Sequence, residues 1–299
     1  MTRWLVTGAA GQLGHDLTAL LSAEGAVCTA LTRTDLDISN GPAVAAAVAA
    51  AKPDVVVNCA AWTAVDAAET HEADALAING QGAGHVAAAC AAAGAALVHV
   101  STDYVFDGHA AAPYTEDAVT EPRSAYGRTK LAGEQQVRAA LPDNAYIVRT
   151  AWLYGAHGKN FVHTMLRLAR NGTSPGVVDD QRGQPTWTHD VATQIHALVT
   201  TGAPAGIYHA TSSGETTWFG LAGEIFRLYR ESLAEDQDSE RTVAPRPIST
   251  AEYPLPAPRP AYSVLAHDAW HKAGISPIGD WREALHRAFP EILKTAPPQ

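Results

Sequence analysis

The chain of 299 residues contains only three cysteines: Cys28, Cys59 and Cys90. They lie far apart in apolar surroundings, and their spacing matches no metal-binding motif. These features exclude a fold held together by disulfides or by a cysteine-bound metal. An odd number of cysteines suits a reducing compartment, and we interpret all three as small buried apolar residues.

Basic residues are also scarce, with 21 lysines and arginines against 31 aspartates and glutamates, and the formal net charge is −10. This excess of negative charge argues against a nucleic acid or an anionic membrane surface as the main partner. The sequence shows no apolar run long enough to span a bilayer and no signal peptide. We therefore expect a soluble cytoplasmic protein.

Residues 1–150 alternate between strand-like apolar runs and helix-like segments. The pattern predicts strands at 3–7, 26–31, 54–60, 96–102 and 145–150, and helices at 12–24, 42–53 and 72–94 and from about Ser124. Alanine-rich stretches lie within two of these helices and fit helices that cover a sheet. Strands that alternate with helices indicate an α/β fold with a doubly wound parallel sheet.

The pattern becomes irregular beyond residue 150. It predicts helices at 160–171, 188–201, 217–234 and 280–289 and short strands near 175–180 and 206–211. Residues 243–263 are too rich in proline for regular structure, and we interpret them as an ordered loop at a binding surface. We therefore expect a smaller, discontinuous domain at 151–299, with some segments returning to the first domain.

Three glycines directly follow the first strand: Gly8, Gly11 and Gly14. Such glycines permit a tight turn, let the backbone approach a pyrophosphate, and let the following helix pack closely on the sheet. The helix N-terminus supplies free N–H groups for the phosphates. This strand–turn–helix context predicts a dinucleotide site on a Rossmann domain at 1–150, with a purely structural turn as the alternative.

The end of the second strand indicates which dinucleotide is preferred. NAD-selective sites usually carry an acidic residue there, whereas this sequence has Thr32 and Arg33. The guanidinium of Arg33 can pair with a 2′-phosphate, so we predict NADPH and leave NADH open. Weaker candidates for cofactor contacts are Asp37, Ile38, Ala60 and Ala61.

The fourth strand ends in Ser101, Thr102 and Asp103, and Tyr126 and Lys130 follow on the next helix. Ligands of doubly wound sheets bind beyond the carboxyl ends of the strands. A lysine charge favours the phenolate and lowers the pKa of tyrosine, so Tyr126 would exchange a proton near neutral pH. Lys130 can also bond the nicotinamide ribose, so Tyr126 and Lys130 are candidates for cofactor contacts as well. With Thr102 bonded to a carbonyl oxygen, this set predicts ketone reduction. The alternative is a surface tyrosine beside a solvated lysine.

Several longer motifs carry a resemblance to a known family. They include GAAGQLG at 8–14, VHVSTDYVFDG at 98–108, PRSAYGRTKLAGE at 122–134 and VVDDQRGQPTW at 177–187. Over nearly its whole length the chain resembles the extended short-chain dehydrogenase/reductases, and among them the dTDP-4-dehydrorhamnose reductase family. The resemblance implies reduction of the C4 ketone of dTDP-6-deoxy-L-lyxo-4-hexulose to dTDP-L-rhamnose.

The resemblance also implies roles for individual residues. It assigns catalysis to Thr102, Tyr126 and Lys130, and sugar packing to Trp152, with Asp103 as a further substrate contact. It assigns cofactor contacts to Gly11, Gln12, Leu13, Ala61, Trp62 and Thr63. Further candidates for binding the nucleotide diphosphate or thymine are Asn160, Arg182 and Arg259.

The sequence departs from the family pattern at positions that concern a metal. Some members dimerise with Mg²⁺ held by glutamates, whereas this sequence has Asp16, Thr188 and His189 in their place. Dependence on Mg²⁺ and the choice between monomer and homodimer therefore stay open.

Two other functions stay open as well. One is a dTDP-dihydrostreptose synthase or another dTDP-4-ketodeoxysugar reductase of antibiotic biosynthesis. The other is a non-catalytic nucleotide-binding regulatory subunit of the same fold.

Overall fold

The structure is a computed structural model that describes residues 1–233 and 243–296. Its strands are β1 (Arg3–Thr7), β2 (Val27–Leu31), β3 (Val55–Asn58), β4 (Ala96–Thr102), β5 (Ala145–Thr150), β6 (Leu153–Tyr154), β7 (Gly176–Val178), β8 (Arg182–Gly183), β9 (Thr186–Trp187), β10 (Gly206–His209), β11 (Thr216–Thr217) and β12 (Arg246–Ile248). Its α-helices are α1 (Gln12–Ala23), α2 (Gly41–Ala51), α3 (Val65–Ala68), α4 (Glu72–Leu76), α5 (Ala83–Ala93), α6 (Ala125–Ala140), α7 (Phe161–Arg170), α8 (Thr188–Thr200), α9 (Trp218–Glu231), α10 (Asp268–Lys272) and α11 (Trp281–Thr295).

Six parallel strands form the central sheet in the order β2-β1-β3-β4-β5-β10. The predicted doubly wound α/β fold is confirmed. The edge strand β10 comes from the second part of the chain and pairs with β5. Among the described residues, no helix is both long and apolar enough to cross a membrane.

The central strands β1, β3, β4 and β5 consist mainly of buried apolar residues because both faces of the sheet are covered there. In β1, Trp4 and Val6 face the core formed with α1 and α8, whereas Leu5 faces the core formed with α2, α5 and α6. Alternate residues point to opposite faces of a strand, so one short run supplies two cores. A third core joins α7, α9 and α11 in the second part of the chain.

Several predicted elements need correction. The predicted helix 72–94 contains a π-helical segment at Ala77–Gly82, and the predicted helix 280–289 extends to Thr295. The proline-rich stretch 243–263 includes β12 and a 3₁₀ turn at Thr250–Glu252, because β12 pairs with β7. The last residue of the predicted helix 217–234 lies outside the described residues.

The cysteines also differ from expectation. Cys90 is buried in the core, whereas Cys28 and Cys59 are only partly buried. Cys28 lies on β2 at the edge of the sheet, where neighbouring elements cover it less completely. All three thiols are free.

The contact between Gly14 and the preceding turn predicts a cost for any side chain there. A Cβ at Gly14 would lie 2.3 Å from the carbonyl oxygen of Gly8. We expect Gly14→Ala to lower the free energy of unfolding by about 2 kcal/mol or more, because backbone must move to admit the methyl group. Urea denaturation measures this loss.

Gly223→Ala is the matched control, since no atom lies within 4 Å of a Cβ at this position of α9. Alanine favours helix more than glycine does, so this variant should be as stable as the parent or slightly more stable. Equal urea midpoints for Gly14→Ala and the parent would contradict the close-packing argument.

Candidate active site

The turn between β1 and α1 has the shape that a pyrophosphate needs. Gly8 has a φ of +67°, and a Cβ there would lie 2.6 Å from the backbone nitrogen of Ala60. The N-cap residue Gly11 makes no side-chain cap, and the first turn of α1 has no acidic residue. The N–H groups at Gln12, Leu13 and Gly14 therefore face no competing side-chain cap, and the turn fits a dinucleotide phosphate.

The residues after β2 form a tight polar turn. The backbone N–H and the hydroxyl of Thr32 both donate to Asp35, at 2.9 and 2.6 Å. Arg33 is exposed. Asp35 was not predicted as part of this turn, and its position four residues after the end of β2 was the signal in the sequence. The predicted pairing of Arg33 with a 2′-phosphate stays a prediction.

Asp37 and Ile38, two of the predicted cofactor contacts, differ in environment. The carboxylate of Asp37 accepts hydrogen bonds from the hydroxyl and N–H of Ser39, which lower its pKa. Ile38 is buried, and its carbonyl oxygen lies 3.2 Å from Nδ1 of His85. The side chain of Asp37 is thus already bonded within its own turn.

The loop after β3 is held by Asn79, a residue that the sequence analysis did not identify. The N–H of Trp62 donates to Oδ1 of Asn79 at 2.8 Å, and Nδ2 of Asn79 donates to the carbonyl oxygen of Trp62. Asn79 lies in the π-helical segment, a distortion that is frequent at functional sites. Its signal in the sequence was an amide side chain, followed two residues later by Gln81, within an apolar helical pattern. It fixes the segment that contains Ala60, Ala61 and Thr63.

Thr102 and Asp103 lie at the carboxyl end of β4, as the sequence predicts. The hydroxyl of Thr102 donates to Oδ1 of Asp103 at 3.0 Å, and the N–H of Tyr104 donates to that hydroxyl at 3.2 Å. The second oxygen of Asp103 is buried without a hydrogen-bond partner. Burial raises the pKa of Asp103 to about 6. This carboxyl is therefore poised to meet a donor from a ligand.

Tyr126 lies near the start of α6, which is capped by the Ser124 hydroxyl through the N–H of Gly127. Its ring meets the edge of Tyr104 with centroids 5.5 Å apart. Burial raises the pKa of Tyr126 to about 12, against the opposing hydrogen-bond effect of Thr102. Thr102 and Tyr126 thus come together at the carboxyl edge of the sheet.

The expected effect of Lys130 on Tyr126 needs correction. In this structure Nζ of Lys130 donates to the carbonyl oxygen of Val100 at 2.6 Å, and Lys130 is not among the groups that shift the pKa of Tyr126. Burial lowers the pKa of Lys130 itself to about 8. The lysine is held against β4, so it does not lower the tyrosine pKa toward neutrality.

Trp152 follows β5 at the same edge and adopts a left-handed φ of +47°. Its indole stacks on Trp218 with centroids 3.6 Å apart and an interplanar angle of 9°. This conformation is costly for a residue with a Cβ and marks functional sites when the surroundings enforce it. The stack holds the ring in one orientation, which suits the predicted contact with a sugar.

The three residues predicted to bind the nucleotide already make hydrogen bonds or ion pairs with other residues of the protein. Asn160 caps α7 through the N–H of His163, and its Nδ2 donates to Gln12 at 3.2 Å. Arg182 is exposed and pairs with Glu215 at 3.1 Å, and Arg259 pairs with Asp66 at 2.8 Å. Contacts of these three residues with a nucleotide stay predictions, and Asn160 joins the second part of the chain to the cofactor turn.

Of the positions that raised the question of a metal, Asp16 and Thr188 lie together. The ligand atoms of His15, Asp16 and His157 are within 4.8 Å of one another, and Asp16 accepts a hydrogen bond from Thr188. Mg²⁺ prefers a full set of oxygen ligands, whereas two of these three side chains are imidazoles. The donor set does not fit Mg²⁺, and no step of the chemistry below uses a metal.

A glycine turn at a helix N-terminus lies beside a hydroxyl, a phenol and a buried ammonium at one sheet edge. This fold and this set of side chains are those of a short-chain dehydrogenase/reductase, a class of NAD(P)H-dependent oxidoreductases. The sequence model of the family described as RmlD substrate binding domain matches residues 2–293. The chain belongs to this family.

Similar proteins agree with this membership. A dTDP-4-dehydrorhamnose reductase of Streptomyces griseus is 53% identical over 298 residues, which is 98% of this chain and 95% of that protein. A dTDP-4-keto-6-deoxy-D-glucose reductase of Streptomyces niveus is 53% identical over 288 residues, which is 96% of each chain. The crystal structure of dTDP-4-dehydrorhamnose reductase from Bacillus anthracis in complex with NADP has a TM-score of 0.90 at 38% identity, covering 97% of this chain and 99% of that one.

The buried Asp103 predicts a pH-dependent stability. Its pKa is raised to about 6 by burial, so the folded protein holds this proton more tightly than the unfolded chain does. The contribution of Asp103 to the free energy of unfolding therefore falls as pH rises from about 4 through about 6. Asp103→Asn removes this titration.

Urea denaturation at several pH values measures the effect. We expect the free energy of unfolding of Asp103→Asn, relative to the parent, to rise by about 2–3 kcal/mol between pH 4 and pH 7.5. Asp143→Asn, at an exposed aspartate, serves as the control. A difference for Asp103→Asn that stays constant with pH would exclude a raised pKa.

Proposed function

We propose that this protein reduces the C4 ketone of dTDP-6-deoxy-L-lyxo-4-hexulose to dTDP-L-rhamnose with NADPH. The observation that carries this proposal is the meeting of Thr102 and Tyr126 at the sheet edge, with Lys130 on the same helix. The proposal is supported by 53% identity over 298 residues to the dTDP-4-dehydrorhamnose reductase of Streptomyces griseus. Residues 1–150 would hold the cofactor, and residues 151–299 would mainly bind the sugar nucleotide.

Three residues of this chain would have separate roles in the reduction. The Thr102 hydroxyl orients the ketone by a hydrogen bond to its oxygen, and the Tyr126 phenol donates a proton to that oxygen as negative charge develops. Bound NADPH supplies the hydride. A phenol with a raised pKa is a reluctant acid, so it transfers its proton only when an alkoxide forms beside it. Asp103 would accept a hydrogen bond from the sugar through its unpartnered oxygen.

The choice of NADPH is supported by the exposed Arg33 at the end of β2. A guanidinium pairs strongly with a phosphate and only weakly with a ribose hydroxyl. Further support comes from the Bacillus anthracis protein, a relative that is 38% identical and whose crystal structure is a complex with NADP. If the protein uses NADH instead, the proposed roles of the other residues in substrate binding and catalysis stay the same.

Removal of the Tyr126 hydroxyl tests the catalytic assignment. We expect Tyr126→Phe to lower kcat at least about 100-fold, because the proton donor is lost, while NADPH binding and stability are retained. Steady-state kinetics and fluorescence titration of NADPH provide the two measurements.

Tyr146→Phe is the matched control, because the Tyr146 hydroxyl bonds the carbonyl oxygen of Ala203 away from the site. It should keep the parent kcat. Full turnover by Tyr126→Phe would contradict the assignment. A parent protein that binds NADPH but turns over no dTDP-4-ketosugar would favour the regulatory subunit.

Substitution of Arg33 tests the cofactor preference. We expect Arg33→Ala to weaken NADPH binding by about tenfold and to leave NADH binding unchanged, because only the 2′-phosphate contact is lost. Arg3→Ala, at the amino end of β1, should change neither affinity. A parent that prefers NADH would overturn the proposed NADPH selectivity.

A second function has support from the relatives. The Streptomyces niveus protein, 53% identical over 288 residues, is named a dTDP-4-keto-6-deoxy-D-glucose reductase. We therefore keep a dTDP-4-ketosugar reductase of antibiotic biosynthesis, including a dihydrostreptose synthase, as the second candidate. NMR identification of the product distinguishes six-membered dTDP-L-rhamnose from a ring-contracted sugar or another deoxysugar.

A further inference from the structure

A buried ion pair lies one helical turn beyond Lys130, and the mechanism above does not use it. Glu134 accepts two hydrogen bonds from the guanidinium of Arg149, at 2.9 and 2.8 Å. Each side chain is only 3% exposed. A buried pair of this kind often stabilises no better than apolar residues of similar volume, so its presence calls for another explanation.

The pair connects the elements that carry the candidate site. The hydroxyl of Ser101 on β4 donates to Oε1 of Glu134 at 2.6 Å. Ser101 is opposite Arg149 in the register of β4 and β5, and the next residue of β4 is Thr102. One carboxylate therefore joins α6, which carries Tyr126 and Lys130, to both strands at the site.

Glu134 also balances the charge around Lys130. Residues four apart lie on the same helix face, so Glu134 follows Lys130 along α6. The ammonium of Lys130 is held at the carbonyl oxygen of Val100, next to Ser101. Burial lowers the pKa of Lys130 to about 8, whereas the Glu134 carboxylate acts to raise it.

The other titratable groups around this cluster are Cys59, His99, His209 and Arg149. Burial raises the pKa of Cys59 to about 12 and lowers the pKa of His99, so both groups are uncharged near neutral pH. His209, whose Nε2 lies 3.5 Å from Arg149, has a pKa of about 3, mainly because it is buried. Among the groups that act to raise the pKa of Lys130, the Glu134 carboxylate has the largest effect.

We propose that Glu134, held by Arg149 and Ser101, is a positioning residue that fixes Lys130 against β4 and keeps its ammonium charged during reduction. This inference rests on the proposed function. Glu134 touches neither the ketone nor the cofactor in this scheme, and it acts through Lys130. Arg149 holds the carboxylate at the strand junction.

The pH dependence of kcat/KM for reduction of the dTDP-4-ketosugar tests the proposal. If turnover requires the charged ammonium of Lys130, kcat/KM falls as pH rises through the pKa of Lys130, which burial lowers to about 8. Glu134→Gln leaves Arg149 as an unopposed positive charge, so Lys130 should lose its proton at lower pH. We expect the basic limb to move down by about half a pH unit or more, and kcat to fall about tenfold.

Glu72→Gln is the matched control, at a carboxylate of α4 that pairs with an arginine of α6. Glu72 pairs with Arg128 of α6, but both side chains are about half exposed, at 43% and 45%. This variant should keep the parent pH profile. Glu134→Asp retains the charge with a shorter reach, so it should restore the basic limb while kcat stays reduced.

A double variant addresses the risk that Glu134→Gln fails to fold. Glu134→Leu/Arg149→Met replaces the pair by apolar residues, an exchange that buried pairs often tolerate. If the folded double variant has the parent kcat and the parent basic limb, the pair is merely structural and the proposal is overturned.

A measurement without substrate separates this proposal from the proposed function. The pKa of the Lys130 ammonium can be followed by ¹³C NMR, with Lys130→Met identifying its signal. A lower pKa in Glu134→Gln supports the role of Glu134 even if the parent turns over no ketosugar, in which case the proposed function alone fails. An unchanged pKa in that variant overturns the proposal for Glu134.

Discussion

The parallel pairing of β4 with β5 is the contact on which the candidate site depends. Its register places Ser101 opposite Arg149 and Thr102 opposite Thr150. Since parallel strands end at the same edge, the chain leaves β4 at Asp103 and leaves β5 at Ala151 on one side of the sheet. The glycine turn after β1 lies at that edge too, so groups far apart in sequence become neighbours.

Burial of apolar residues stabilises this sheet, but it also imposes a free-energy cost on the polar side chains that are buried with them. Strand residues supply both cores, and charged side chains beside them lose contact with water. Lys130, Glu134 and Arg149 are all buried, and each has a hydrogen-bond partner. Asp103 keeps one oxygen without a partner. A buried acceptor without a donor costs stability in the free protein and leaves room for a bond to a ligand.

The second part of the chain meets the first through the core that α8 shares with α1, through the edge strand β10 and through several polar contacts. Asn160 reaches Gln12 at the cofactor turn, and Arg259 reaches Asp66 after β3. These contacts fix the position of the third core relative to the carboxyl edge of the sheet. Trp152, stacked on Trp218, packs against that core. The orientation of a bound sugar would depend on this placement, so product stereochemistry is a property of the assembled fold.

The sequence by itself determined the alternation of strands and helices, the glycine turn, and the set Thr102, Tyr126 and Lys130. These follow from local periodicity and from residue types at short spacing, which need no knowledge of distant contacts. Family resemblance supplied the sugar substrate and Trp152.

Tertiary structure alone decided the protonation and pairing of the site residues. No local pattern shows that Lys130 binds the Val100 carbonyl, that Asn79 holds the loop after β3, or that Glu134 meets Arg149. A pKa depends on burial and on charges brought near by folding, and these partners are separated by many residues along the chain. The sequence therefore named the candidate reacting groups, and only the fold set the environment in which they lie.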